Sequence, residues 1–61
     1  MQQYIITIEG GGFSDFDEIE LPRLPDDGDP LETKYGTCVV VGTEVLSEEH
    51  RYDGKIICRL P

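Results

Sequence analysis

Short apolar runs rich in β-branched residues, each ended by glycine or proline, restrict the fold of this chain more than any other feature. Residues 4–9, 37–41 and 55–60 are three such runs, and residues 17–21 alternate polar and apolar side chains as a half-buried strand does. No segment keeps a helical repeat of apolar residues over ten positions. The sequence therefore predicts an all-β protein with at most one turn of helix.

Breaks between these runs place the strands and the loops. Five short strands are expected, at residues 4–9, 17–21, 31–35, 37–46 and 55–60. Ile19 and Leu21 are expected to face inward, and Gly42 predicts a bulge or a sharp bend in the fourth strand. Residues 22–30 are rich in proline and aspartate, so we expect a loop that returns Leu24 to the core.

The segment at residues 47–52 fits either a single helical turn capped by Ser47 or an extension of the neighbouring strand. Asp53-Gly54 follows it and is a strong hairpin-turn signal. We therefore favour a hairpin loop here.

Five strands in 61 residues predict a single small domain, residues 1–61, built on a strongly curled sheet. The order of its segments is two strands, a loop of proline, aspartate and glycine, and a long bent hairpin. This order resembles that of SH3-like small barrels. The resemblance implies an architecture for the five-stranded sheet, and it implies no activity.

Two of the strands, at residues 4–9 and 55–60, are apolar on both faces, and the strand at residues 37–46 contains a continuous apolar run. Ile5 is followed by Ile6, Ile56 by Ile57, and residues 39–41 are three consecutive valines. A small barrel needs only one apolar face on each strand, so we expect a loop or a partner to cover the second face.

Cys38 and Cys58 each lie inside an apolar run, where a free thiol behaves as a small hydrophobic side chain. No export signal and no long apolar stretch is evident, so we expect a soluble, cytoplasmic protein with free thiols. A disulfide is the alternative if the two strands are neighbours. Neither cysteine has the spacing of a zinc ligand relative to the other or to His50.

Acidic residues are concentrated in the first half of the chain. Residues 1–32 hold nine acids and one base, whereas residues 33–61 hold four of each, so the net charge of -8 belongs to the first half. Such a charge predicts attraction to a basic partner and repulsion of nucleic acid and anionic membranes.

No group of residues predicts catalysis, a metal site or a cofactor. The glycines at 10–12 are followed by acids, which repel phosphate, and the acids near Gly28 miss the spacing of a calcium loop. His50 lies in a charged loop with no signal for a pocket or an oxyanion site. We expect a protein that is not an enzyme.

Phe13 and Phe16 flank Asp15 in a pattern typical of exposed anchors ringed by charge. The residues predicted to contact a partner are Phe13, Asp15, Phe16, Asp17, Glu18, Glu20, Asp26, Asp27 and Asp29.

We expect an interaction or inhibitor module that binds a larger protein with a basic surface. A narrower form is a DNA-mimicking inhibitor of a nucleic-acid enzyme, as phages and mobile elements carry. The alternative is a structural subunit that self-associates through its apolar strands, as in a homodimer.

Overall fold

The computed structural model describes all residues, 1–61, as five β-strands joined by loops, without any helix. The strands are β1 (Gln2–Gly10), β2 (Phe13–Leu21), β3 (Pro30–Thr33), β4 (Gly36–Val45) and β5 (Gly54–Arg59). The predicted all-β class and the small curled sheet are confirmed. The chain contains no helix that is able to cross a membrane.

All five strands form one sheet in the order β2-β1-β5-β4-β3. Neighbours are antiparallel except at the centre, where β1 and β5 run parallel with Ile6 opposite Ile56. The sheet curls strongly into a half-barrel, so β2 and β3 are its two outer strands. This arrangement buries the concave face and leaves the convex face open.

Alternation along the strands fills the concave face. Seven side chains there are at most 1% exposed, namely those of Tyr4, Ile6, Ile8, Cys38, Val40, Ile56 and Cys58. Ile19, Leu21 and Leu24 are partly buried and pack against them, which confirms the inward orientation of the first two and the return of Leu24 to the core. Burial of these aliphatic side chains supplies the main driving force for folding.

Irregular positions in β4 and its hairpin follow the predicted breaks. The register between β4 and β5 shifts between Val40 and Gly42, so the predicted bulge is confirmed. Residues 46–53 form a hairpin loop without helix, closed where the Leu46 N–H donates to the Asp53 carbonyl at 3.2 Å. Gly54 is the first residue of β5 rather than a turn residue.

Cys38 and Cys58 form a disulfide across β4 and β5, with their Cα atoms 5.7 Å apart. The expectation of free thiols was wrong, because the bent hairpin brings the two apolar runs side by side on the concave face. Both cysteines are fully buried. The bond joins cysteines that are 20 positions apart in the sequence, and both belong to the small buried core.

Candidate functional site

β2 carries most of the predicted partner-binding residues, and its side chains divide between the two faces of the sheet. Residues opposite each other in an antiparallel pair share a face. Asp15 lies opposite the buried Ile8, and Asp17 opposite the buried Ile6, so both aspartates are on the concave side. Phe16, Glu18 and Glu20 are therefore on the convex side. The structure thus separates carboxylates that are neighbours in the sequence.

Asp15 joins the two outer strands of the half-barrel at one end. Its carboxylate accepts a hydrogen bond from the Tyr35 hydroxyl and lies 3.5 Å from the Lys34 Nζ. The Phe13 ring packs on the Tyr35 ring with centroids 5.2 Å apart. Phe13 and Asp15 therefore make internal contacts between β2 and the turn that follows β3.

These contacts shift the pKa values of the groups involved. The Tyr35 hydroxyl, the Phe16 N–H and the Lys34 ammonium all favour the charged carboxylate, so the pKa of Asp15 lies below its ordinary value. The same hydrogen bond raises the pKa of Tyr35.

The free edge of β2 is capped by its own aspartates. The backbone N–H of Phe16 donates to Asp15 Oδ1 at 2.8 Å, and the N–H of Glu18 donates to Asp17 Oδ1 at 2.9 Å. N–H groups two residues apart point to the same edge of a strand. Side-chain charges beside an edge strand discourage pairing with another strand. Asp15 and Asp17 therefore protect the edge of the sheet.

The convex face of β2 is more accessible. Phe16 is 65% exposed and lies opposite Thr7 of β1. Beside it is a shallow depression of about 350 Å³ lined by Ile5, Phe16, Asp17, Glu18 and Tyr52. The Tyr52 hydroxyl donates to Glu18, which raises the pKa of Tyr52, and the Arg51 guanidinium lies 3.7 Å from the same carboxylate.

Acids of the loop before β3 lie in a turn that is bound to β4. The Gly28 N–H donates to the Val40 carbonyl, and the Val40 N–H donates to the Asp29 carbonyl, so this loop is attached to β4. Asp29 also caps the turn by accepting the Asp26 N–H at 3.0 Å. Asp27 is exposed in the same turn. No group of three or more acidic, histidine or cysteine side chains is placed to hold a metal ion.

Folding offsets part of the charge imbalance of the sequence. Lys34, Arg51 and Arg59, all from the second half of the chain, pair with Asp15, Glu18 and Glu9 at 3.4–3.7 Å. These pairs are solvent-exposed, so each contributes little to stability. They nevertheless distribute positive charge over the acidic half of the sequence.

Some surface residues escaped the sequence reasoning. Tyr52 and Arg51 reach β2 from the hairpin loop, and Lys34 reaches β2 from the turn after β3. Ile5, which lines the depression beside Phe16, did have a sequence signal, because its strand is apolar on both faces. The others depend on tertiary structure.

Comparisons of the chain with protein-family models, with curated proteins and with solved structures found no match.

Proposed function

We propose that this chain is a non-enzymatic interaction module that docks the convex face of β2 on a larger protein with a basic surface. The observation that carries the proposal is the exposure of Phe16, 65%, beside the depression lined by Ile5 and Tyr52. Binding energy in protein interfaces concentrates in aromatic side chains that enter a pocket on the partner. Phe16 supplies such an anchor.

Charge supports a basic partner. The chain has a net charge of -8, and three of its five bases already lie beside carboxylates of the chain. Few cations therefore remain to attract nucleic acid or an anionic membrane, and neither is part of the proposal. Exposed Glu18 and Glu20 follow Phe16 on the same face of β2 and favour contact with lysine or arginine.

Absence of catalysis is also part of the proposal. His50 is exposed in the hairpin loop, and its Nδ1 accepts the Tyr52 N–H at 3.3 Å. A general base needs a substrate pocket that excludes water, and an exposed loop histidine does not favour one.

DNA mimicry is the narrower form of this proposal, for an inhibitor of the kind that phages or mobile elements carry. Glu18 and Glu20 lie on one face at a spacing of about 6.8 Å, the repeat of alternate residues in an antiparallel strand. Asp15 and Asp17 do not extend this row, because they lie on the concave side. Competition by duplex DNA for the bound partner distinguishes the narrow form from the broad one.

The test uses three immobilised proteins, namely the wild type, Phe16→Ala and Val45→Ala, in extract of the source organism. Val45 is a matched control because it is 77% exposed and lies on β4 rather than β2. We expect the wild type and Val45→Ala to retain the same basic protein at low salt, and Phe16→Ala to lose it.

The retained protein is then purified and its affinity is measured directly. We expect the dissociation constant to rise at least about tenfold for Phe16→Ala and to rise with ionic strength. Equal affinity of the two alanine variants, or a partner without a basic surface, would falsify the proposal.

Self-association is the second candidate, and one observation favours it. Val39 and Val41 are 42% and 49% exposed on β4, and no loop of the chain covers them. Exposed aliphatic side chains beside the half-buried Ile57 suit contact with a second copy.

A further inference from the structure

The two outer strands of the half-barrel, β2 and β3, are connected by the chain at one end only. The loop at residues 22–29 joins them there, and it is held on β4, where the Gly28 N–H donates to the Val40 carbonyl at 2.7 Å. β2 is hydrogen-bonded only to β1, and β3 only to β4, so no backbone hydrogen bond links the two outer strands. The seam between them therefore has one fixed end.

Side chains close the other end of the seam. The Asp15 carboxylate of β2 accepts the Tyr35 hydroxyl and lies 3.5 Å from the Lys34 Nζ, and the Phe13 ring packs on the Tyr35 ring. No other hydrogen bond, ion pair or aromatic contact joins β2 to residues 30–35. We call this group the latch, and its members are Phe13, Asp15, Lys34 and Tyr35.

The β2 side of the latch is held in place by the sheet. The Phe13 ring packs so closely over Gly10 of β1 that a Cβ atom there would lie 2.5 Å from a ring carbon. Asp15 Oδ1 accepts the Phe16 N–H at 2.8 Å, which leaves Oδ2 for the Tyr35 hydroxyl. The short strand β3 and the turn after it are therefore the side of the seam that is free to move.

Behind the latch lies one end of the buried core. Ile8 is fully buried and lies opposite Asp15 in the β1–β2 pair. A cleft of about 290 Å³ runs along the seam, and Ile6, Ile8 and Lys34 are among the residues that line it. Parting of the outer strands widens this cleft and exposes the two isoleucines to water.

We propose that the latch is a gate, which opens the seam while the rest of the sheet stays folded. When its contacts release, β3 and its turn move away from β2, the loop at residues 22–29 acts as the hinge, and Ile8 is the first core side chain to be exposed. Solvent-exposed ion pairs contribute little to stability, whereas the paired strands are joined by many backbone hydrogen bonds. Opening at the latch therefore requires less free energy than global unfolding. The gate lies on the concave side of β2, so it does not depend on docking at Phe16.

Tyr52 supplies a matched control for the latch. Its hydroxyl donates to Glu18, and the Arg51 guanidinium lies 3.7 Å from the same carboxylate. Arg51 also lies over the Tyr52 ring, 5.5 Å from its centroid, much as Lys34 lies 5.4 Å from the centroid of the Tyr35 ring. This second group has the same chemistry, but it joins the hairpin loop to the convex side of β2.

The test measures how strongly a soluble gadolinium chelate relaxes the isoleucine methyl signals of the isotope-labelled chain in NMR spectra. Tyr35→Ala removes both the ring and the hydroxyl from the latch. We expect it to raise the relaxation enhancement of Ile8 at least about threefold, a ratio within the range that exposed pairs contribute. The rise at Ile56 should be smaller, and Tyr52→Ala should leave Ile8 as it is in the wild type.

Tyr35→Phe decides the question if Tyr35→Ala does not fold. It keeps the contact with Phe13 and loses only the hydrogen bond to Asp15, so we expect a smaller rise at Ile8 than in Tyr35→Ala. An unchanged Ile8 signal in the folded Tyr35 variants would overturn the proposal. So would an equal rise at Ile8 and Ile56, which would indicate general unfolding, or an equal rise at Ile8 in Tyr52→Ala.

Discussion

The ring of Tyr4 lies against Gly54, its partner in the parallel pair of β1 and β5. A Cβ atom at position 54 would lie 2.9 Å from two ring carbons of Tyr4 and 3.1 Å from the carbonyl oxygen of Glu44. Tyr4 is only 1% exposed, so its ring has little room to move. Glycine is needed here for close packing between two strands.

Gly54→Ala is therefore expected to lower the free energy of unfolding by about 1–3 kcal/mol, the usual cost of overfilling a packed site. Gly11→Ala is the matched control, because a Cβ atom at position 11 meets no atom within 4 Å. Urea denaturation followed by circular dichroism measures both. Equal stability of the two variants would show that Tyr4 moves aside without cost.

Reduction of the Cys38–Cys58 disulfide is expected to destabilise the fold. Loop-closure entropy for its separation of 20 residues predicts a loss of about 3 kcal/mol. Denaturation with and without a reducing agent measures the loss. The double variant Cys38→Ala/Cys58→Ala serves as the control and should not respond to the reducing agent. A wild-type midpoint that is unchanged on complete reduction would contradict the prediction.

Acid should weaken the link between Asp15 and Tyr35. The pKa of Asp15 is lower in the folded protein than in the unfolded chain, mainly because the Tyr35 hydroxyl donates to its carboxylate. The stability that this carboxylate contributes is present above its unfolded pKa, about 3.9, and is lost as the pH falls through the folded pKa.

Tyr35→Phe should raise the pKa of Asp15 towards its ordinary value and reduce this dependence on pH. Carbon NMR titration of the Asp15 carboxyl measures the change. Tyr52→Phe is the control, since the Tyr52 hydroxyl binds Glu18 instead. The same change in both variants would mean that the Tyr35 hydroxyl is not the cause.

Phe16 should be dispensable for folding. Because its side chain is 65% exposed, we expect Phe16→Ala to change the free energy of unfolding by no more than about 0.5 kcal/mol. Ile6→Ala, at a position that is 1% exposed, should cost about 2–5 kcal/mol. Thermal and urea unfolding decide the comparison. A large loss in Phe16→Ala would assign Phe16 to the structure rather than to binding.

Self-association through β4 has its own test. If copies associate there, we expect the Val41→Lys variant to sediment as a monomer at concentrations where the wild type sediments as an oligomer. Val45→Lys, at a more exposed position near the end of the same strand, should leave the oligomer intact. A wild type that sediments as a monomer at every concentration would remove this candidate.

Local patterns in the sequence predicted the strands, the bulge at Gly42 and the return of Leu24, because each depends on residues close together in the chain. β2 was predicted to begin at residue 17 but begins at Phe13, since pairing with β1 carries the strand past its polar residues. The inward orientation of the Asp17 side chain could be predicted from the alternation, because Asp17 lies two residues before the inward-facing Ile19.

Long-range pairing was not predictable in the same way. The parallel alignment of β1 and β5, the disulfide and the ion pairs from Lys34 and Arg51 join residues far apart in the sequence. No local periodicity determines which strands become neighbours. The charge imbalance was therefore evident from the sequence, whereas its partial compensation in space was not.

Because the first strand is completed by the last, an emerging chain cannot assemble the middle of its sheet until residues 54–59 have left the ribosome. Until then the β1–β2 hairpin lacks β5, and Ile6 and Ile8 stay exposed to water. Such late closure predicts slow folding for a domain this short.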